Sequence, residues 1–314
     1  MKKTIIAIIV LILVLVGVYF VTKSLSPKGD TATNTPATPD TTVVPSTEEG
    51  AKAAEEIVSV IGKSVEGRDI TAYTYLPMPA AGGQAGDTGA KELLFIGGIH
   101  GGYEWNTTLV AYQTMDYLKA TPNIIPANVK VTVIPVLNPD GLYKTLGTTT
   151  RFSAMDVPQS LDKQIAGRFN ARTVDLNRNF DCGWQASGTW QNKKVSGGSK
   201  AFSEPESQAI KKYAETNTPV AVAVWFSAAG GVYASNCENG VSAETETLTK
   251  LFADASLYPA FQSFDFYETT GDMVNWFAKQ NIPAISVLLT NHTDTEWTKN
   301  QKGIAALLTY YAQK

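Results

Sequence analysis

His100 and Glu104 are separated by three residues, Gly101, Gly102 and Tyr103. An imidazole and a carboxylate this close can be aimed at one ion by a single turn of chain, and both are ordinary zinc ligands. Glycines on either side of His100 let the backbone pack tightly around such a site. A metalloprotease helix of the HExxH kind is absent. A second chemical segment is Val174-Asp175-Leu176-Asn177-Arg178-Asn179-Phe180. Its arginine suits bidentate carboxylate recognition, and its asparagines add neutral donors. The chain holds only two histidines, His100 and His292, so a mechanism built on several imidazoles is excluded. Ser227 has no G-x-S-x-G setting, which argues against a serine nucleophile.

These residues need elements to position them. Leu93–Ile99 and Val220–Phe226 are continuous apolar runs and read as buried strands. Ala284–Leu289 also reads as a strand, Ile70–Leu76 alternates like one, and Val129–Leu137 is β-branched. Asn138-Pro139-Asp140-Gly141 reads as a turn and 82–89 as a glycine-rich loop. Helical spacing covers Ala51–Ile61, Thr107–Leu118, Glu204–Ala214, Thr245–Ala255, Met273–Lys279 and Thr298–Ala312. Strands alternating with helices predict an α/β domain with a buried, largely parallel sheet. Ligand sites in such folds lie at the carboxyl ends of strands. Three candidate segments emerge there: His100–Glu104, Phe226-Ser227, and Leu288-Leu289 leading into Thr290-Asn291-His292.

The 314 residues carry a net charge of -3, and no basic block points to nucleic acid. Lys2 and Lys3 precede an apolar run from Ile5 to Val21 that nearly spans a bilayer. Residues 1–23 are expected to be a membrane anchor, with a cleaved signal peptide as the alternative. Residues 24–48, rich in Thr, Pro and Ser, read as a stalk, and 49–314 as the folded domain. The lysines favour an extracytoplasmic domain, where Cys182 and Cys237 could pair.

Seven segments, in order, resemble the zinc metallocarboxypeptidase family. They are Gly62–Arg68, Gly97–Glu104, Asn138–Gly141, Asp175–Phe180, Phe202–Glu206, Ser227–Gly231, and Tyr267 with Gly271 and Trp276. The resemblance implies a three-layer α/β/α sandwich with a mixed, about eight-stranded sheet and a zinc cofactor. It makes His100 and Glu104 the first two zinc ligands, although the family commonly has two residues between them. It makes Asn177 and Arg178 the grip on a peptide's C-terminal carboxylate, and Tyr267 the tyrosine that closes over substrate. Arg168 matches the arginine that polarises the scissile carbonyl, with Arg151 or Arg172 as alternatives.

Two positions depart from the family. The third zinc-ligand position, a histidine followed by serine, is Phe226, and the general-base position is Leu288. A catalytic zinc needs three protein ligands, and a general base is worth roughly 10²–10⁴ in rate. The expectation is a membrane-tethered domain of this family that has lost hydrolysis and zinc affinity and binds C-termini of peptides or cell-wall peptides. One alternative is an active carboxypeptidase rearranged around His292, with Asp294 or Glu296 as base. A purely structural surface domain is the other.

Overall fold

The computed structural model describes residues 55–77 and 89–314. The anchor, the stalk, the start of the folded domain and nearly all of the 82–89 loop lie outside the described residues. The chain opens with two strands, β1 (Glu56–Lys63) and β2 (Asp69–Tyr75). Then come β3 (Lys91–Ile96), helix α1 (Trp105–Ala120), β4 (Val129–Ile134), α2 (Pro139–Leu146) and α3 (Leu161–Ala166). A small hairpin, β5 (Ser187–Trp190) and β6 (Lys193–Ser196), precedes α4 (Pro205–Asn217) and β7 (Ala221–Ser227). The domain ends with β8 (Gly231–Ala234), α5 (Ala243–Ser256), β9 (Ala260–Phe261), α6 (Met273–Lys279), β10 (Ala284–Leu289) and α7 (Trp297–Ala312).

Eight strands form one sheet in the order β1-β2-β4-β3-β7-β10-β8-β9. Four of its pairings are parallel and three antiparallel, so it is mixed. Every residue of β7 is buried, as a central strand covered on both faces requires. Its side chains alternate. Ala221, Ala223 and Trp225 join a core with residues of α1, α5 and α7. Val222, Val224 and Phe226 join a second core with residues of α4 and α6. Helices therefore cover both faces, giving the α/β/α sandwich. Among the described residues no helix is long and apolar enough to cross a membrane.

Two expectations are corrected. The helical spacing read over Ala51–Ile61 gives way, within the described residues, to strand β1. Edge strand β1 leaves Ile57, Val58 and Val60 exposed, so its apolar residues report pairing with β2 rather than a buried helical face. Asn138–Gly141 does not turn the chain but starts α2. Asn138 caps that helix by accepting the Gly141 N–H, and Pro139 occupies its first turn. The cysteines do pair, as Cys182–Cys237.

Candidate functional site

β3, β7 and β10 lie side by side in the middle of the sheet, and their carboxyl ends define the site. The chain leaves β3 through Gly97 and Gly98 and turns immediately into His100. Gly98 has φ +66, and a Cβ there would meet Thr108 Oγ1 at 2.7 Å and Pro135 O at 2.9 Å. Only glycine fits this tight exit. The next turn carries Glu104 to the start of α1, where it faces His100.

His100 and Glu104 come together, but inside a closed ionic cluster. His100 Nδ1 lies 2.9 Å from Glu104 Oε1, a close contact without hydrogen-bond alignment. His100 Nε2 is 3.2 Å from Asp175 Oδ1. Arg168 donates to Asp175 Oδ2 at 2.9 Å and reaches Glu104 Oε1 at 3.4 Å. The backbone N–H of Ser227 donates to Glu104 Oε2 at 3.1 Å. The four ionic side chains are at most 5% exposed. Hairpin residue Trp190 backs the cluster, with the guanidinium carbon of Arg168 4.4 Å from its ring centre.

The charges shift one another as such geometry demands. Burial and Arg168 pull the His100 imidazole down, yet Glu104 and Asp175 outweigh them and hold it above its ordinary value. Burial would raise Glu104, but His100 and Arg168 hold it below the usual carboxylate range. Burial likewise opposes ionisation of Asp175, and Arg168 with His100 drives it far below that range. Both acids are therefore anions facing two cations in a dry space.

Phe226 and Leu288 close the other side. They are register partners on the parallel strands β7 and β10, both buried, and both line the same cavity as His100 and Glu104. The Phe226 ring centre sits 5.9 Å from that of His100. Among the described residues no three His, Cys, Asp or Glu side chains are placed to hold a metal. The donor set does not fit zinc. His100 and Glu104 are each already engaged within the cluster, and Phe226 and Leu288, which line the cavity beside them, offer no donor atom.

His292 does not complete the set. Its Nδ1 is 2.8 Å from Ser227 Oγ, and its ring packs 4.6 Å from that of Tyr103. Asn106 fixes the proton positions. Its Nδ2 donates to the carbonyls of Asn291 and Asp294, so its Oδ1 must accept from the Ser227 hydroxyl at 3.1 Å. The remaining polarity is His292 Nδ1–H donating to Ser227 Oγ. Ser227 thus gives its proton to an amide oxygen, not to a base. Burial depresses the His292 imidazole. Glu296 is engaged by Tyr258, Thr290 and Lys299, and Asp294 by the Glu296 N–H; neither lines the cavity.

Of the three candidate arginines, only Arg168 reaches the cluster. Arg151 pairs with exposed Asp116, and Arg172 approaches Glu204. Asn177 lines the cavity but is already committed, donating to Asp272 Oδ2 at 2.7 Å and accepting the Met273 N–H. Arg178 is buried, donates to Thr189 O at 3.1 Å, and retains a buried Nε–H without a partner. Tyr267 covers it, ring centre 5.4 Å from the guanidinium carbon. Burial raises the Tyr267 phenol.

The sequence reading gave no role to Asp175 or to the β5–β6 hairpin. Asp175 stands beside Asn177 and Arg178, but its partners are distant in sequence. The hairpin's two-residue turn, Gln191-Asn192, has both residues at positive φ, the backbone usually announced by Asn-Gly. Asn192 was its one visible signal.

The described elements form an α/β/α sandwich on a mixed eight-stranded sheet, with a cavity at the carboxyl ends of its central strands. The family model described as zinc carboxypeptidase matches residues 47–305, and the chain belongs to that family. It is 30% identical over 126 residues to carboxypeptidase Z of Rattus norvegicus, a match covering 38% of this chain and 17% of that protein. The chain thus spans well under two thirds of that relative. Carboxypeptidase A of Helicoverpa armigera has the same fold, with TM-score 0.60, 19% identity, and coverage of 82% of this chain and 68% of that one. So does murein-tripeptide amidase MpaA of Escherichia coli O157, with TM-score 0.53, 21% identity, and coverage of 84% and 96%.

Proposed function

We propose that this chain is a zinc-carboxypeptidase-family domain that binds peptide C-termini, including those of cell-wall peptides, without hydrolysing them. The carrying observation is the neighbouring pair Phe226 and Leu288 opposite His100 and Glu104. An aromatic ring and an aliphatic side chain stand where a third ligand and a general base would act. Without them, water is neither acidified by a metal nor deprotonated by a carboxylate. The binding half rests on Asn177 at the cavity wall and on the orphan Nε–H of Arg178 beneath Tyr267. A carboxylate arriving beneath that ring would give this donor its missing acceptor. The disulfide supports an oxidising compartment, in keeping with a tether through residues 5–21 and an extracytoplasmic domain.

The test is calorimetric titration of the full-length chain with a tripeptide bearing a free carboxylate and with its amidated form, alongside zinc analysis and a turnover assay. Binding of the free acid alone, weakened by Arg178→Ala, with neither zinc nor turnover, is the expected result. Stoichiometric zinc with peptide turnover would refute the non-hydrolytic reading. Equal affinity for acid and amide would refute the carboxylate grip.

A further inference from the structure

Strand β1 is the outermost strand of the sheet, and among the described residues only β2 pairs with it. The Leu76 N–H donates to Glu55 O at 3.1 Å, and the register runs without a break from Glu56↔Tyr75 to Val60↔Thr71. Backbone groups alternate in direction along an antiparallel strand. Glu55, Ile57 and Ser59 therefore turn theirs toward β2, while Glu56, Val58 and Val60 turn theirs outward. Val58 and Val60 are 57% and 55% exposed, and Ile57 44%. Sheet edges are commonly blunted by charged residues or proline, and 57–62 holds neither.

This edge is complementary to itself. Ile57-Val58-Ser59-Val60-Ile61 reads the same in both directions. A second copy related by a two-fold axis at Ser59 would run antiparallel, with Val58 opposite the partner's Val60 and Ile57 opposite the partner's Ile61. The valines are the residues whose N–H and C=O groups already face outward, so they fall where an antiparallel ladder exchanges its hydrogen bonds. A register shifted by one residue would lose that match. The ends agree in charge as well, since Glu55 would meet the partner's Lys63. Glu55 is exposed, and Lys63 engages only Asp69, itself exposed, and the Gly67 carbonyl.

We propose that β1 docks a second copy of this chain, edge to edge, so that two eight-stranded sheets become one continuous sheet across a two-fold axis at Ser59. The valines of both copies then cover one another, and such cross-strand pairs of β-branched residues are the stabilising unit of a sheet. Ile57 and Ile61, which line a groove with Tyr213 and Thr216 of α4, meet across the axis in the same way. The ladder with β2 shifts between Val60 and Gly62, and such a bulge bends the strand beyond the central pairs. The contact is therefore short, and the dimer is concentration-dependent. Strands β2, β4 and β3 separate β1 from β7, so the inference does not depend on the peptide-binding reading.

The experiment is cross-linking of the full-length chain in detergent. Ser59→Cys puts a thiol on the axis, opposite its own copy in a non-hydrogen-bonded pair, where a Cα separation of about 4.5 Å suits a disulfide. Cys182 and Cys237 are already joined, so the new thiol is the reactive one. Mild oxidation should yield a covalent two-chain species from Ser59→Cys and not from Ser199→Cys, an exposed control. Val58→Pro removes an outward N–H that β2 does not use, so the fold is retained and the cross-link should be lost. Sedimentation of the parent should show a mass of two chains that falls to one on dilution, and of Val58→Pro a mass of one throughout. Cross-linking of Ser59→Cys no better than the control, or a dimer unchanged by Val58→Pro, overturns the proposal. Slow hydrogen exchange at the Val58 and Val60 amides of a monomer would place another segment of this chain along the edge and overturn it as well.

Discussion

Replacing Arg168 with methionine tests whether the His100–Glu104–Arg168–Asp175 cluster is a closed set of charges. Methionine keeps much of the stem but removes the cation that touches both acids. Glu104 and Asp175 then share one partner, His100, at 4% exposure or less. Removing one member of a buried ion pair typically costs 3–5 kcal/mol, because the other charge stays buried and uncompensated. The lost contact with Trp190 adds to this, so a loss of at least ~3 kcal/mol is expected. For a domain of this size that corresponds to a drop in Tm of roughly 6–12 °C. Urea unfolding followed by tryptophan fluorescence reads the change directly. Adding Asp175→Asn should recover part of it, because the double variant leaves only the Glu104–His100 pair, and a coupling of about 1–3 kcal/mol is expected. A single variant within ~1 kcal/mol of the parent, or strict additivity in the double, would show that the four charges are not one unit.

Four further outcomes follow from the same geometry. Asp175 has its folded-state pKa held far below its unfolded value, so its stabilisation is present above about pH 4 and fades as pH falls below that. The stability gap between parent and Asp175→Asn, measured by urea unfolding from pH 7 to 3, should narrow over the acid end and not over the neutral range. Leu288→Glu alone places a carboxylate at a position 7% exposed, without a cation, and should lower stability by about 2 kcal/mol or more. Combined with Phe226→His it should bind zinc near one per chain by elemental analysis and gain peptide turnover, and a metal-free, inert double variant would show that these positions do not face the ligand pair. Replacing both Cys182 and Cys237 with serine opens a link across 55 residues. This should cost about 4 kcal/mol by the loop-closure relation, read from denaturant midpoints.

The placement of several candidate residues was legible in the sequence. The central strands β3, β7 and β10 are largely buried on both faces, so the sequence spells them as mostly apolar runs, interrupted in β10 by Ser286, and the residues at their ends follow directly. His100, Glu104, Phe226 and Leu288 were found that way, and the structure brings all four to one cavity. What stayed hidden depends on distance along the chain. His100 and Glu104 looked stranded without a third ligand. Their retention has a physical reason only when Arg168 and Asp175 are seen to meet them across 64 and 75 residues. Edge strand β1 was obscured because Ile57, Val58 and Val60 face outward, which blurs the alternation a half-buried strand would display. The two-residue β9 has too few positions to carry any period.

The buried charges also respond to temperature unlike the hydrocarbon beside them. Hydration of ions becomes less favourable on heating, so the penalty for keeping four ionic groups dry shrinks, while the gain per unit of apolar contact levels off. Warming therefore shifts the balance of cohesion in this cavity away from the Phe226–Leu288 flank and toward the ring of acids and bases facing it.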